Sequence, residues 1–526
     1  MKVLRSFISL LVGAFIFGVV YILMLPTLNL KSAGTLLLIG LSMLIGFFIM
    51  WSFADATDDC YPSELVLAIG ITLVVISVVS LIASSPLFHA KSYSNSVVVN
   101  TIEDNIEEAL PKEEDLNNVS LMDTASAEKL GDRTLGTLTD LVSQYEVDNY
   151  YTISYDNQLW KIAPLKFGGF FKAMKNTTIP GYVLVNPLTN EAKYIKVEGG
   201  IKYAPSAYFG KDLNRHVSLA YPTLLIDYDS RSFQIDDEGG VFWVIPTEKY
   251  NVGNACKTPN GTIICDAVTG ETNWYSLEDI PSWVDLVFTG DTVETMYNRH
   301  GEYINGFINL NNEGVTATTD DFGYIQKDDT VYVYTGITSV SSDESNLGFI
   351  MVNTRTGEFN YYPIAGAEEY SAMGAAEGLV QNYSYKASFP TLVLINNSPT
   401  YVMVLKDDNG LVKQYAMVNM ENYSIVATGE SLKKAKKNYL SACATTGKGI
   451  VSNIDESSLV ENKITIKDIQ FLIVDGETIC YIKSKDGKCF KESFSSDERL
   501  ILLDVGDKVT IYSLDNSDIS DIVEIK

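Results

Sequence analysis

Apolar and polar positions divide the chain into two regimes. In the first 90 residues three apolar runs, roughly Phe7–Leu25, Thr35–Phe53 and Leu65–Ala83, are joined by short polar loops. Each run is near the ~20 residues that a helix needs to cross a bilayer. A single run would suit a buried core helix, but three in succession predict an α-helical membrane anchor of three transmembrane helices over residues 1–88. Pro26-Thr27-Leu28 follows the first run in place of a small-x-small cleavage pattern, so that run reads as a retained span and not a signal peptide. Lys2 and Arg5 precede it and only Lys31 follows, a bias that puts the N-terminus in the cytoplasm and, after three crossings, residues 89–526 outside. The second loop, from Ala54 to Glu64, has no Lys or Arg and adds nothing to that orientation.

Beyond the membrane the pattern changes to short apolar runs broken by turns. Residues 89–149 read as an acidic juxtamembrane spacer and a helix capped by Asp123, with Leu130, Leu135, Leu138, Leu141 and Val142 on one face. Residues 150–447 predict four α+β units, each made of a hairpin, a second hairpin and a helix. The first hairpins are centred in Ile153–Trp160, Phe233–Trp243, Tyr324–Tyr332 and Leu394–Tyr401. The second hairpins turn at Val185-Asn-Pro-Leu-Thr-Asn-Glu191, Cys265-Asp-Ala-Val-Thr-Gly-Glu271 and Val352-Asn-Thr-Arg-Thr-Gly-Glu358, with Val418-Asn-Met-Glu-Asn-Tyr-Ser424 in the fourth unit. Helices are expected near Pro205–Leu219, Pro281–Tyr297, Glu368–Val380 and Glu430–Cys443, with Pro205 and Pro281 at the first helical position. Tyr221-Pro222-Thr223 and Phe389-Pro390-Thr391 follow Val185 and Val352 at 37 and 38 residues, which suggests a doubled two-unit block. Residues 448–526 predict a C-terminal small β-barrel, OB- or SH3-like, from strands Ile464–Phe471, Thr478–Ile482, Leu500–Leu503, Lys508–Tyr512 and Ile522–Ile525.

Charge narrows the partners. Of 39 basic and 66 acidic residues, 3 and 4 fall in the first 90, leaving 36 and 62, a net of −26, for the rest. Such a region repels phosphate backbones, so nucleic acid is not an expected partner. Membrane lipid is one, through the spans. Six cysteines are too few for a disulfide framework in 526 residues.

The candidate chemistry is sparse. There is no HExxH, GxSxG or complete phosphate-binding loop; Gly447-Lys448-Gly449 lacks the flanking residues of one. No catalytic residue, cofactor or metal site is predicted. His216, beside Arg215 and near Asp212, could be a general base, against the strongly preferred plainer reading of a partly exposed helix histidine; His89 and His300 have less context. The recurring Glu191, Glu271 and Glu358 are weak ligand-site candidates, against the plainer reading of solvated strand starts. Acidic turns at Asp236-Asp237-Glu238, Asp328-Asp329 and Asp407-Asp408 lack the ligand spacing of an EF-hand. Lys433, Lys434, Lys436 and Lys437 form the one basic cluster and fit the wet face of a short helix, and Leu440-Ser-Ala-Cys443 is too far along the chain for a lipidation signal. Cys256 and Cys265 flank Asn260-Gly261, a two-residue hairpin turn that would place them opposite each other as a disulfide. Cys480 and Cys489 flank an off-centre turn and should not meet.

The strand–turn–strand motifs beside helices resemble PepSY-type modules, small exported α+β units. That resemblance implies binding or regulation outside the cell, including of peptidases, and supplies no catalytic residues. The whole chain also resembles a family of multi-span membrane proteins of Gram-positive bacteria. Ser85-Pro-Leu-Phe88, Leu130-Gly-Asp-Arg133, Ser143-Gln-Tyr-Glu146, Leu213-Asn-Arg-His216 and Glu369-Tyr-Ser-Ala-Met373 carry that likeness; it implies no activity. The expectation is a non-enzymatic, membrane-anchored extracytoplasmic protein of the cell envelope that binds or regulates a protein, peptide or envelope ligand. The alternatives are an envelope hydrolase with paired carboxylates and an accessory subunit of a transport or secretion complex.

Overall fold

The computed structural model describes residues 2–53, 64–103, 109–113, 116, 119, 121–155, 158–319, 321–327, 330–340, 345–446, 460–474, 477–493, 498–514 and 519–525. The loop at 54–63, Asp328-Asp329 and Gly447-Lys448-Gly449 lie outside these residues, as do Asp104, Glu107, Glu108, Glu114 and Asp115. The chain divides into two compact units: residues 1–102 with 124–363, and residues 103–123 with 364–526. The second unit therefore interrupts the spacer expected at 89–149.

The first unit opens with helices Lys2–Met24, Ala33–Ser52 and Glu64–Ala83, each long and apolar enough to cross a membrane. Small residues set their spacing. A Cβ on Gly46 would lie 2.5 Å from the Ser9 carbonyl oxygen and 2.7 Å from the Gly13 nitrogen, so only glycine lets the first two spans approach this closely. Ser77 Oγ donates to the Ala33 carbonyl at 2.6 Å and ties the third span to the second. Leu, Ile, Val and Phe on the outer faces are exposed, as lipid-facing residues are in the absence of lipid.

Four sheets follow the same strand order. Each is built on a long strand: Gln158–Phe167, Val241–Val252, Thr330–Ser339 and Ser398–Lys406. One half of its edge pairs with a hairpin partner (Tyr151–Tyr155, Ser232–Ile235, Gly323–Lys327, Thr391–Ile395). The other half of that edge pairs with a short strand (Tyr145–Val147, Leu225–Ile226, Thr316–Thr318, Lys386–Ala387). Its opposite edge carries Ile179–Asn186, Ala255–Asp266, Ser345–Asn353 and Val412–Asn419, and outside these lie Glu191–Ile201, Thr272–Ser276, Phe359–Tyr362 and Val426–Gly429. Val99–Thr101, expected in the spacer, adds a parallel strand beside Phe359–Tyr362.

Helices Thr124–Gly136, Leu213–Ala220, Gly290–Glu302 and Glu369–Leu379 each precede a sheet, and Leu432–Thr446 follows the fourth. The prolines do not open them. Leu213–Ala220 starts eight positions after Pro205, and its cap is Asp212, whose Oδ1 accepts the Arg215 N–H at 2.7 Å. Gly290–Glu302 starts nine positions after Pro281. The proline spacing was also misleading. Pro222 precedes the short strand of the second sheet, whereas Pro390 precedes the hairpin strand of the fourth, so the two are not equivalent.

The conserved geometry is in the turns. Asn186, Asp266 and Asn353 each accept two successive backbone N–H groups through Oδ1, at 2.8 and 3.1, 2.7 and 2.8, and 3.0 and 3.0 Å. Asn190, Gly270 and Gly357 then take the left-handed backbone at φ +56°, +82° and +71°. In the second and third sheets the residue after the Asx is fully buried, and its carbonyl holds the segment arriving from the previous sheet. Ala267 accepts the N–H groups of Lys202 and Tyr203, and Thr354 those of Val287 and Phe288. Met420 of the fourth sheet similarly accepts the Ala367 N–H.

The second unit ends in five strands. Val460–Val474 pairs with Glu477–Ser484 and with Lys508–Leu514; Cys489–Ser493 pairs with Glu477–Ser484 and, in parallel, with Ile519–Ile525; Ile519–Ile525 pairs back with Lys508–Leu514. Their own core contains Ile464, Ile466, Ile482, Phe490 and Ile511. The strand expected at Leu500–Leu503 is instead a 3-10 helix over Glu498–Leu502, with Leu500 plugged inward and Ile501 and Leu502 exposed.

Candidate functional site

Helix Leu432–Thr446 carries the strongest concentration of one charge. Its buried face is Ala435, Tyr439 and Cys443, four residues apart, packed on Val402, Val404 and Met417 of the fourth sheet. Tyr439 fixes its rotation: the hydroxyl bonds Thr400 Oγ1 at 2.9 Å and accepts from Asn419 Nδ2 at 3.1 Å. Burial pushes the Tyr439 phenol and the Cys443 thiol above their ordinary values, so neither ionises near neutral pH. Ser431 caps the helix through Oγ, accepting the Lys434 N–H at 3.2 Å. With that face buried, Lys433, Lys434, Lys436 and Lys437 line a cleft of about 460 Å³ with Ser431, Leu440 and Glu113. Glu113 pairs with Lys436, and Glu430 lies 3.6 Å from Lys434. Ammonium groups on a helix anchored this firmly offer several hydrogen-bond donors to one anionic group.

The structure does not bring Glu191, Glu271 and Glu358 together. Glu191 faces Lys193 at 3.8 Å, the Glu271 N–H donates to Thr269 Oγ1 at 3.2 Å, and Glu358 accepts from Asn360 at 3.4 Å. Each belongs to its own hairpin. Among the described residues no group of three or more His, Cys, Asp and Glu is placed to hold a metal ion. Asp236 spends Oδ1 on the N–H groups of Glu238 and Gly240, and Asp407 on those of Asn409 and Leu411. His216 Nε2 bonds the Gly270 carbonyl oxygen at 2.7 Å and its ring lies 4.4 Å from that of Tyr203, a packed structural histidine. Asp212 is occupied as a helix cap; its carboxyl is raised by burial, against the lowering effect of the Arg215 N–H. His300 is held by Ser94, its Nδ1 2.9 Å from the backbone carbonyl.

The Cys256–Cys265 disulfide is overturned. Both residues are free thiols on the single strand Ala255–Asp266, nine positions apart, or about 30 Å at ~3.3 Å per residue. The chain reverses at Gly253-Asn254, with Gly253 at φ +52°, and not at Asn260-Gly261. Asn260 is instead the extra residue of a β-bulge, where its Oδ1 accepts from Thr247 Oγ1 at 3.1 Å. Gly261 faces the Tyr275 carbonyl and the Trp274 indole, which leave no room for a Cβ. Cys480 and Cys489, expected apart, are opposite Glu492 and Lys483 and are free.

A buried polar junction in the first unit escaped the sequence reading. Asp285 is 3% exposed and touches all three sheets. Its Oδ2 accepts the Ser154 N–H of the first sheet at 2.6 Å, and its own N–H donates to Gln234 Oε1 of the second at 2.8 Å. The Arg355 guanidinium of the third sheet lies 3.7 Å from Oδ1, and Thr354 Oγ1 donates to the Asp285 carbonyl at 2.7 Å. A carboxylate within the apolar run Trp283–Phe288 was the available signal. The contacts to Ser154, Gln234, Thr354 and Arg355 hold the three sheets to one another, so the junction positions them.

No protein-family model and no curated protein sequence matches the chain.

Proposed function

We propose that this chain is a membrane-anchored, non-enzymatic binding protein whose lysine-lined cleft recognises an anionic group on a protein, peptide or envelope ligand. The observation that carries the reading is the cleft itself: four lysines fixed by the Tyr439 anchor in a chain of net charge −27.

The extracytoplasmic placement is also proposed. The loop between the first two spans meets the soluble part at Leu28 N–H to Pro222 O (2.6 Å), and the end of the third span meets it at Asn254 Nδ2 to Ser80 Oγ (2.6 Å). The soluble part of this unit thus adjoins the membrane end opposite Lys2 and Arg5, and a cytoplasmic N-terminus makes that face external. The shared strand order supports reading the four sheets as four copies of one PepSY-like unit. The cyclic pairing of the last five strands supports the small OB- or SH3-like barrel.

Poly-glutamate and inorganic polyphosphate, titrated onto the full chain in neutral detergent, test the cleft and separate carboxylate from phosphate recognition. Wild type should bind at least one with an affinity that falls as salt rises, and Lys433→Glu with Lys437→Glu should weaken it at least about tenfold, about 1.4 kcal/mol. Binding to neither probe, or equal binding by the variant, overturns the reading.

A further inference from the structure

We infer that the loop between helix Gly290–Glu302 and strand Thr316–Thr318 is a second membrane attachment, seated in the interface of the bilayer that the three spans cross. It rests on the membrane spans and is independent of the lysine cleft.

Location comes first. Tyr93 donates its hydroxyl to the Ser84 carbonyl at 2.7 Å, directly after the third span, and its ring meets that of Tyr303 edge-on at 5.8 Å. Tyr303 in turn stacks on Phe307 at 6.5 Å. Ser94 Oγ fixes the same helix end by donating to the His300 carbonyl at 2.9 Å. This line of contacts leads from the end of a span straight to the loop.

The loop is also turned inside out. Ile304, Phe307, Ile308 and Leu310 are 47, 49, 78 and 93% exposed. Part of its polar complement is paired within the loop: Asn305 and Asn309 both donate to the Glu313 carbonyl, at 2.6 and 2.9 Å, and Asn309 Oδ1 accepts the Glu313 N–H at 3.1 Å, while Asn311, Asn312 and Glu313 stay exposed. Part of its backbone is also paired within, through Gly306 N–H to Tyr303, Asn312 N–H to Asn309 and Val315 N–H to Asn312. A loop that presents apolar side chains outward in this way is suited to the polar–apolar boundary of the bilayer, where the remaining N–H and carbonyl groups still meet headgroups and water. Apolar residues flanked by aromatic rings at the end of a span are what the headgroup region accommodates. Leu87 and Phe88, 52 and 62% exposed, lie three and four residues beyond Ser84 and give the same region a second apolar contact.

The full chain in lipid nanodiscs, spin-labelled at Ile308→Cys and separately at Lys193→Cys, tests this after subtraction of unsubstituted protein carrying the same label. At position 308, collisions with oxygen should rise and those with a water-soluble nickel complex should fall several-fold relative to position 193. Equal nickel accessibility at the two positions overturns the inference. So does spin–spin broadening at 308 that dilution with unlabelled chain removes, because a second copy would then cover the loop. Leu310→Cys gives the same readout should Ile308→Cys fold poorly.

Discussion

At the scale of single residues, the strongest local signal was the one that failed. Asn260-Gly261 has the composition of a tight hairpin turn, but its glycine is required by the crowding of Trp274 and Tyr275 across the strand and its asparagine by a bulge. Both demands are tertiary, and neither is visible in local sequence. Gly253-Asn254, which does make the turn, was equally suitable by composition. Both cysteines should therefore alkylate as free thiols when the protein is denatured without reductant and analysed by mass spectrometry. In the folded protein at pH 8, Cys265 should resist iodoacetamide. Burial, helped by the neighbouring Asp266 carboxylate, pushes its thiol up to about 12, so almost none is the reactive thiolate. A Cys256–Cys265 disulfide in the native protein would refute the strand register. The cleft lysines, by contrast, were legible as a cluster on a helix; that they line a cavity depended on which face Tyr439 anchors.

At the scale of elements, the turns were legible and the connections between them were not. The Asx–x–x–Thr–Gly–Glu pattern encodes a local geometry that short sequence determines: an Asx side chain capping two N–H groups and a left-handed residue four positions later. Its second function needs a partner far along the chain. A Cβ on Gly270 would lie 2.3 Å from the Tyr203 ring, and one on Gly357 2.3 Å from the Phe288 ring, so each turn closes over an aromatic residue of the incoming segment. Gly270→Ala and Gly357→Ala combine this overlap with the left-handed backbone penalty of ~1–2 kcal/mol. Each should lower stability by about 2 kcal/mol or more, read as a lower thermal midpoint of the detergent-solubilised chain. Asn190→Gly at the matching position of the first sheet should change it by less than about 0.5 kcal/mol, because asparagine already tolerates this conformation. Equal effects at all three positions would show that the turns do not share this closing role. The helix starts were misplaced for a related reason: Pro205 and Pro281 lie in the linking segments, whose course is set by Ala267 and Thr354.

At the scale of the whole molecule, the membrane region was the most legible part because bilayer thickness is a fixed ruler and apolar run length needs no tertiary information. The division into two units was not legible, since residues 103–123 leave one unit and join strands that follow about 280 positions later. Topology joins what could be read with what could not. Three helices place the N-terminus and residue 84 at opposite membrane faces, and contacts at Leu28 and Asn254 put the soluble part of the first unit at the second face. The side then depends on Lys2 and Arg5 alone. Lys193 offers a reporter, exposed on the outer strand of the first sheet. In intact cells, Lys193→Cys should react with a membrane-impermeant maleimide beyond the background of unsubstituted protein, whereas Ser6→Cys should react only after permeabilisation. The reverse pattern would leave the membrane anchoring intact but move the soluble part into the cytoplasm. Envelope ligands would then be inaccessible to the lysine cleft, and its anionic partner would have to be intracellular.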